Sequence, residues 1–341
     1  MIDLRSDTAT RPTKEMLKAM FELSRDEIGD DVFNEDPTVS ALEAKASKMF
    51  GKEYGLFCPS GTMTNQVAIK VHTQPGDEII CDASAHIYNY EGGGISFNSS
   101  AQTKLILGDR GRISANQVAE NINPSFDWLA STSLVSIENT VNRCGGSYYS
   151  MEHIIDIAKI CKVNNLKFHL DGARIFNALT ETKDNPLEVG KHFDSISICL
   201  SKGLGAPVGS VLLGDKEFIK KARRIRKVFG GGMRQAGYLA AAGIYALDNN
   251  IDRLKDDHKR AKQLGDILRN SPYVENILPV DTNIVIFTLG DTMKSENFVN
   301  ILMEQNIRAV GFGKQTIRFV THLDFNDLML EKVSSVLKKI R

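Results

Sequence analysis

Residues 167–205 read KFHLDGARIFNALTETKDNPLEVGKHFDSISICLSKGLG, and this stretch carries the pattern that decides the fold. Two short apolar runs, Lys167–Leu170 and Ser195–Cys199, each end where polar and small residues begin. Short apolar runs with such boundaries are typical of buried strands. We therefore predict two strands of one sheet, with an acid at the end of the first and a lysine at the end of the second.

The same pattern continues on both sides of this stretch. Helical periodicity separates many of the predicted strands, around residues 62–71, 116–121 and 151–163. Short apolar strands that alternate with amphipathic helices predict an α/β fold, with a mostly parallel seven-stranded sheet covered on both faces. The other five strands are predicted at Gly55–Cys58, Glu78–Cys81, Lys104–Leu107, Leu134–Ile137 and Gly209–Leu213.

The last quarter of the chain has a different pattern. A charged helix is predicted at Ile251–Arg269, and we place a domain boundary near its start. Residues 1–250 are predicted to form a large domain with an N-terminal arm, and residues 251–341 a small α+β domain. The neighbouring predicted elements are helices at Lys216–Lys227, Gln235–Asp248 and Ser295–Gln305, strands at Ile284–Thr288 and Thr316–Thr321, and a final helix from Asn326.

The composition excludes several classes of protein. The 341 residues include 42 basic and 42 acidic side chains and are 42% hydrophobic, as is usual for soluble globular proteins. With zero net charge and no block of like charge, we predict neither a nucleic acid nor a membrane as partner. Five scattered cysteines without a CxxC pair, and a start at Met1 without signal-peptide features, favour the reducing cytoplasm.

Polar residues at strand ends are the first candidates for chemistry, because ligands of open α/β sheets bind there. Lys202 follows one predicted strand and is flanked by serine and glycines. A partly desolvated amine at such a place can form a Schiff base with an aldehyde, and the glycines leave room for a bulky adduct. Pyridoxal phosphate (PLP) supplies an aldehyde. Asp171, at the end of the other strand, can keep its pyridine nitrogen protonated.

Two further features fit the same cofactor. Cys58–Thr64 reads CPSGTMT, a strand-to-helix turn whose backbone N–H groups favour a phosphate. His86 can stack on the pyridine ring. Each feature alone also fits a structural role, such as a surface turn for Lys202 or a helix cap for Asp171. Their joint occurrence on adjacent elements favours PLP.

Other cofactor sites fail on spacing. The chain has no GxxxxGK[ST] motif, and Gly203, Gly205 and Gly209 miss the dinucleotide pattern by one residue. The histidines show no HExxH or neighbouring-ligand pattern. We therefore predict no metal site.

Several segments identify a family. Over essentially its whole length the chain resembles the low-specificity L-threonine aldolases, which are PLP enzymes of fold type I with a large domain and a small C-terminal domain. The lysine segment and the Gly230–Gln235 run are highly specific to that family. The segments that carry the resemblance are Asp3–Thr8, Gly29–Val32, Glu35–Thr38, Pro59–Met63, Glu138–Thr140, His169–Arg174, Leu200–Ser210, Gly230–Gln235 and Arg318–His322.

The resemblance implies roles for individual residues. The implied catalytic residues are Lys202, as the Schiff-base lysine, and His86, as the candidate for proton transfer. The implied cofactor-binding residues are Gly61, Thr62, His86, Asp171, Arg174, Lys202, Lys227 and Arg234. The implied substrate-binding residues, which hold the carboxylate, are Ser6, Arg174 and Arg318. Lys227 and Arg234 match positions that approach the phosphate from a neighbouring subunit, so the resemblance implies an obligate homo-oligomer, a dimer-based tetramer.

The implied reaction cleaves L-threonine or L-allo-threonine to glycine and acetaldehyde, in glycine biosynthesis and threonine catabolism. Two residues depart from the family pattern. Val141 replaces a histidine that contacts the substrate hydroxyl in many members, and Phe33 replaces a tyrosine. These departures indicate either that His86 and water handle the hydroxyl or that the protein prefers another β-substituent. Two other functions stay open: a PLP-dependent β-eliminating lyase that releases ammonia and a 2-oxo acid, and a PLP-binding protein without turnover.

Overall fold

A seven-stranded sheet lies at the centre of residues 54–214 in a computed structural model that describes residues 1–340. A short strand of the N-terminal arm precedes it. These strands are β1 (Ile2–Asp3), β2 (Tyr54–Cys58), β3 (Glu78–Asp82), β4 (Gln102–Ile106), β5 (Thr132–Glu138), β6 (Lys167–Gly172), β7 (Ser195–Cys199) and β8 (Ser210–Gly214).

The strand order of the sheet is β2-β8-β7-β6-β5-β3-β4. All neighbours are parallel except at β8, which is antiparallel to both β2 and β7. The connection from Cys199 to Ser210 contains no helix and is too short for a parallel crossover, so the chain returns in the opposite direction. The predicted mostly parallel, seven-stranded sheet is confirmed.

Helices cover both faces of this sheet. Leu212 and Leu213, neighbours in β8, belong to two separate apolar clusters, as expected when successive side chains point to opposite covered faces. The helices are α1 (Lys14–Phe21), α2 (Pro37–Met49), α3 (Gly61–His72), α4 (His86–Asn89), α5 (Gly94–Ser99), α6 (Ala115–Glu120), α7 (Met151–Val163), α8 (Ile175–Thr182), α9 (Pro186–Gly190), α10 (Lys216–Val228) and α11 (Gly237–Asn249).

A second, antiparallel sheet with its own core follows. Its strand order is β12-β13-β10-β9. Its elements and their neighbours are α12 (Leu254–Arg269), β9 (Val274–Ile277), β10 (Ile284–Leu289), α13 (Ser295–Glu304), β11 (Ile307–Arg308), β12 (Val310–Gly311), β13 (Thr316–Val320) and α14 (Asp327–Leu337). The division at residue 250 remains a prediction.

The N-terminal arm contacts the elements from α12 to α14, which form the C-terminal unit. Strand β1 pairs in parallel with β11, and Ile2 and Leu4 lie in the unit's apolar core. The first residues were predicted to belong with the large domain, but their packing is with the C-terminal elements. The arm then continues to the strand ends of the large sheet.

Several predicted boundaries differ from the observed ones. Helix α11 begins at Gly237 instead of Gln235, because the Asp36 carboxylate accepts a hydrogen bond from the Gly237 N–H at 2.9 Å and satisfies the new helix end. Strand β4 ends at Ile106, and Leu107 is 84% exposed. The short strands β9, β11 and β12 were not predicted. Within residues 1–340, no helix is long and apolar enough to cross a membrane.

Candidate active site

The carboxyl ends of the central parallel strands bring the predicted site residues to one edge of the sheet. Asp171 near the end of β6 is in register with Glu138 of β5 and Ser197 of β7. Lys202 lies three residues beyond β7, and His86 follows β3. Chain segments far apart in sequence therefore meet here because parallel strands all end on the same side.

A network of buried hydrogen bonds fixes the Asp171 carboxylate. Asp171 is 2% exposed and accepts hydrogen bonds from Asn65 Nδ2 at 2.9 Å and from the Ala173 N–H at 3.1 Å. The Asn65 side chain is itself fixed, because its Nδ2 also donates to Glu91 at 2.9 Å and its Oδ1 lies 3.2 Å from His169 Nε2. Asn65 and Glu91 were not among the predicted residues, and no sequence motif marks them.

His86 lies beside this network. Its Nδ1 is 3.0 Å from Glu91 Oε1, and polar atoms of His86, Glu91 and Asp171 lie within 4.8 Å of one another. Burial by itself would lower the pKa of His86. The hydrogen bond with Glu91 and the negative charge of Asp171 outweigh it, so the pKa lies above its usual value.

Glu138 supports His86 from the next strand. Its carboxylate accepts hydrogen bonds from the His86 N–H and the Asn142 N–H, both at 3.0 Å. Burial and the nearby charge of Asp171 raise the pKa of Glu138 to about 7. Glu138 and Asp171, on adjacent strands, thus have different environments. Asp171 accepts a hydrogen bond from a side chain, whereas Glu138 accepts hydrogen bonds from backbone N–H groups.

The turn from β2 to α3 has the features of a phosphate site. Ser60 caps the helix by accepting the Met63 N–H, while Ser60 and Thr62 stay exposed. The first N–H groups of a helix have no partner within it and favour an anion. Ser210 Oγ is buried without a hydrogen-bond partner among residues 1–340, and a Cβ added to Gly61 would come within 3.4 Å of it.

Lys202 is held through its backbone. Its carbonyl accepts hydrogen bonds from Thr10 Oγ1 at 3.0 Å and from the Gly205 N–H at 2.9 Å. The side chain is half-buried and forms no ion pair with the acids of residues 1–340. The loop after β7 contains glycines and no helix, and it therefore carries the Lys202 amine without an ion-pair partner among residues 1–340.

The arm and the C-terminal unit form a cationic region next to Lys202. Arg174 makes a bidentate pair with Asp7, with Nε–Oδ2 and Nη2–Oδ1 distances of 2.7 Å, and both side chains are buried. Arg318 donates to Asn142 Oδ1 at 2.9 Å and to the Arg5 carbonyl at 3.0 Å. Ser6 lies between Arg5 and Asp7, so the three predicted carboxylate-binding residues are near one another.

Asp7 was not predicted, and its removal tests the Arg174 pair. Burial raises the pKa of Asp7, but Arg174 outweighs it and the pKa lies below its usual range. The pair therefore contributes stability above the unfolded carboxyl's pKa, and that contribution is lost as the pH falls. We expect Asp7→Asn at pH 7 to lower the free energy of unfolding by about 3–5 kcal/mol, because it leaves a buried charge unpaired.

Urea unfolding of the variant measures this loss. Asp26→Asn, a change at an exposed acid, is the matched control and should differ little from the wild type. A loss below about 1 kcal/mol in Asp7→Asn would show that Arg174 does not depend on the pair.

Within the described chain, Lys227 and Arg234 are not among the residues that meet at the strand ends. Lys227 is exposed near the end of α10, and Arg234 forms an ion pair with Asp30 at 2.7 Å. Nearby, Gly231 packs against Met63 in the first turn of α3, so the glycine run reaches the same turn as the predicted phosphate site. The Lys227 and Arg234 side chains are therefore both on the surface of the described chain.

The two departures from the family pattern have different environments. Val141 is 1% exposed and packs in the core, where its side chain abuts Gly111. Phe33 is 68% exposed, and the Arg234 guanidinium carbon lies 5.9 Å from its ring centroid. Neither side chain supplies a polar group to the strand-end cluster.

The arrangement fits PLP. The α3 turn and the unpartnered Ser210 hydroxyl suit a phosphate, the buried Asp171 suits a protonated ring nitrogen, and the Lys202 amine suits an aldehyde. His86, Asp171 and Lys202 come from three different strand ends. No single segment could provide this set.

The solved structure of Leishmania major threonine aldolase has the same fold. It matches with a TM-score of 0.84 at 20% identity, over 99% of both chains. A family model described as beta-eliminating lyase matches residues 3–292. The fold is that of the PLP fold type I enzymes, and the family match shows that the chain is a lyase.

Relatives at higher identity narrow this assignment. The low specificity L-threonine aldolase of Escherichia coli strain K12 is 42% identical over 98% of both chains. That of Saccharomyces cerevisiae is 38% identical, over 97% of this chain and 84% of its own length. The chain belongs to the beta-eliminating lyase family and, within it, to the low-specificity L-threonine aldolases. The predicted family and fold class are confirmed.

Proposed function

We propose that the protein is a PLP-dependent aldolase that cleaves L-threonine and L-allo-threonine to glycine and acetaldehyde. The observation that carries this proposal is the buried Asp171, held by Asn65 one strand away from the Lys202 loop. The names of the relatives support the same reaction. PLP, bound through a Schiff base on Lys202, would accept the electron pair of the broken Cα–Cβ bond.

The residues of this chain would bind and orient the substrate. Arg318 and Ser6 would hold the substrate carboxylate, together with Arg174 Nη1, which the pair with Asp7 does not use. Guanidinium groups bind carboxylates with defined geometry and so fix which Cα bond lies across the ring. Gly61 and Thr62 would bind the cofactor phosphate, and His86 would stack on the ring.

His86 would also remove the β-hydroxyl proton, directly or through water. Its contact with Glu91 holds the imidazole in place and raises its pKa above the ordinary value, which strengthens the imidazole as a base. Val141 supplies no polar group for this step, so the hydroxyl depends on His86 in this chain. The same observation favours β-elimination as the second candidate.

Product analysis separates the two reactions. The PLP-loaded protein is incubated with L-allo-threonine and, separately, with L-threonine. Glycine and acetaldehyde in equal amounts support the aldolase. Ammonia and 2-oxobutyrate instead would assign β-elimination, and no product from either amino acid would contradict both reactions on these substrates.

The pH dependence of the reaction tests the role of His86. If its neutral form is the base, kcat/KM falls as the pH falls through the His86 pKa. Glu91 raises that pKa, so we expect Glu91→Gln to shift the acid limb of the kcat/KM profile to lower pH. Glu188→Gln, at an exposed site, serves as the control. An unmoved acid limb would remove His86 from the proton transfer.

We also propose a homotetramer built from dimers, in which Lys227 and Arg234 reach the phosphate of a neighbouring subunit. The exposure of both side chains supports this arrangement. Light scattering of the holoenzyme tests the oligomer size, and a monomer would contradict it.

The further proposals are a large domain over residues 1–250, a small domain over 251–341, a cytoplasmic location and a role in glycine and threonine metabolism.

A further inference from the structure

An additional arginine lies beside the region that holds the substrate carboxylate. Arg143 is in the loop after β5, next to Asn142, whose side chain contacts Arg318. Its guanidinium carbon is 4.1 Å from the ring centroid of Phe312 and 5.8 Å from that of Tyr90. The Arg318 guanidinium carbon lies 4.4 Å from the same Phe312 centroid.

These contacts place Arg143 between two parts of the site. Phe312 lies in the loop that joins β12 and β13 and connects Arg143 to Arg318. Tyr90 connects it to His86, whose ring centroid is 5.6 Å from that of Tyr90. A molecule held between Arg318 and His86 is therefore within reach of the Arg143 side chain.

The charges in this region are not balanced. Arg174 is neutralised by Asp7. Arg318 bonds to an amide oxygen and a backbone carbonyl, neither of which is charged, and its Nε has no partner. Arg143 forms no hydrogen bond or ion pair with the other side chains of residues 1–340. Burial and the charges of Arg174 and Arg143 lower the pKa of Arg318 to about 10.

Two unneutralised guanidinium groups suit two negative groups on one ligand. Threonine brings one carboxylate, which Arg318 would hold. A second carboxylate on the substrate side chain would meet Arg143, and the partly buried surroundings would strengthen a bidentate pair. Phe312 would hold both guanidinium planes in position by cation–π contact, at little further loss of side-chain freedom.

We propose that Arg143 is a specificity residue that binds a carboxylate on the substrate side chain, so that β-hydroxy-α-amino dicarboxylic acids such as L-β-hydroxyaspartate are favoured substrates. This proposal rests on the proposed aldolase function. Cleavage breaks the Cα–Cβ bond, the hydroxyl-bearing carbon becomes the aldehyde carbon of glyoxylate, and Cα gains a proton to give glycine. The β-hydroxyl proton is released, so the reaction needs no oxidant or reductant.

Kinetics on the holoenzyme test the proposal with two substrates. We expect wild-type kcat/KM to be higher for L-β-hydroxyaspartate than for L-allo-threonine. Arg143→Gln should lower the ratio of the two values by about tenfold or more, mainly through KM, since a charge-assisted pair is lost. Arg143→Lys should restore part of the ratio. Arg269→Gln, which removes an exposed arginine of α12, is the matched control and should leave the ratio unchanged.

A binding measurement gives an independent readout. Succinate carries two carboxylates and butyrate one, and the apparent melting temperature of the holoenzyme is measured with each. We expect succinate to raise it more than butyrate in the wild type, and the difference to vanish in Arg143→Gln. Equal effects of the two acids would contradict a second carboxylate site.

The outcomes separate the two proposals. Cleavage of L-allo-threonine with an unchanged ratio in Arg143→Gln would overturn the role of Arg143 and leave the aldolase intact. It would mean that Arg143 only packs on Phe312. If neither amino acid is cleaved, the proposed function fails. The succinate comparison then decides alone whether Arg143 binds a carboxylate.

Discussion

Lys202→Ala should abolish both the visible absorption band of the PLP-loaded protein and the cleavage of L-allo-threonine. The alanine has no amine for a Schiff base, so the cofactor could bind only through the phosphate turn and Asp171. We expect kcat to fall by about 10⁴-fold, the scale on which enzymes lose activity when a covalently acting side chain is removed. Absorbance spectra and acetaldehyde release measure the two effects.

The control for this variant is Lys332→Ala, which removes an exposed lysine of α14. It should keep the band and the activity of the wild type. Restoration of part of the activity of Lys202→Ala by added methylamine would further assign the loss to the missing amine. A variant that retains the band would place the covalent bond on another lysine.

Asp171→Asn should have the next largest effect. The asparagine is nearly the same size but carries no charge, so it would not keep the pyridine nitrogen protonated. Loss of one preorganised charge at a reacting group lowers kcat by roughly 10²–10³-fold. We expect cofactor affinity to fall less than kcat, because the phosphate turn and Lys202 are unchanged.

Stopped-flow and steady-state kinetics separate the loss of cofactor affinity from the loss of kcat. Asp252→Asn, at an exposed acid at the start of the C-terminal unit, is the control and should behave as the wild type. The structure also predicts that Asn65→Ala, which removes a donor to Asp171, acts in the same direction with a smaller loss. A normal kcat in Asp171→Asn would exclude the role proposed for the carboxylate.

The sequence predicted the sheet because its signals are local. Each strand is a short apolar run with clear ends, so Ser195–Cys199 was located to the residue. The antiparallel direction of β8 depends on the length of its connection, which is also local. The sequence did not predict β9, β11 and β12, because these strands are short and gain most of their stability from pairing with neighbours.

The sequence also predicted which residue types could hold the cofactor. Asp171 lies near the end of a strand, Lys202 and the Ser60–Thr62 turn follow strands, and topology alone brings such positions to one sheet edge. Family resemblance added Ser6, Arg174 and Arg318, for which the chain's own periodicity carries no signal. Their roles remain proposals that the variants above test.

Only the tertiary structure decided which side chains contact these residues. Asn65 reaches Asp171 across 106 positions of sequence, and Asp7 reaches Arg174 across 167. Arg143 and Phe312 meet only because the β5 loop and the β12–β13 loop face each other. Local sequence determines secondary structure through short-range sterics and periodicity. Hydrogen bonds and ion pairs between distant segments depend on distances of a few ångströms that only packing sets.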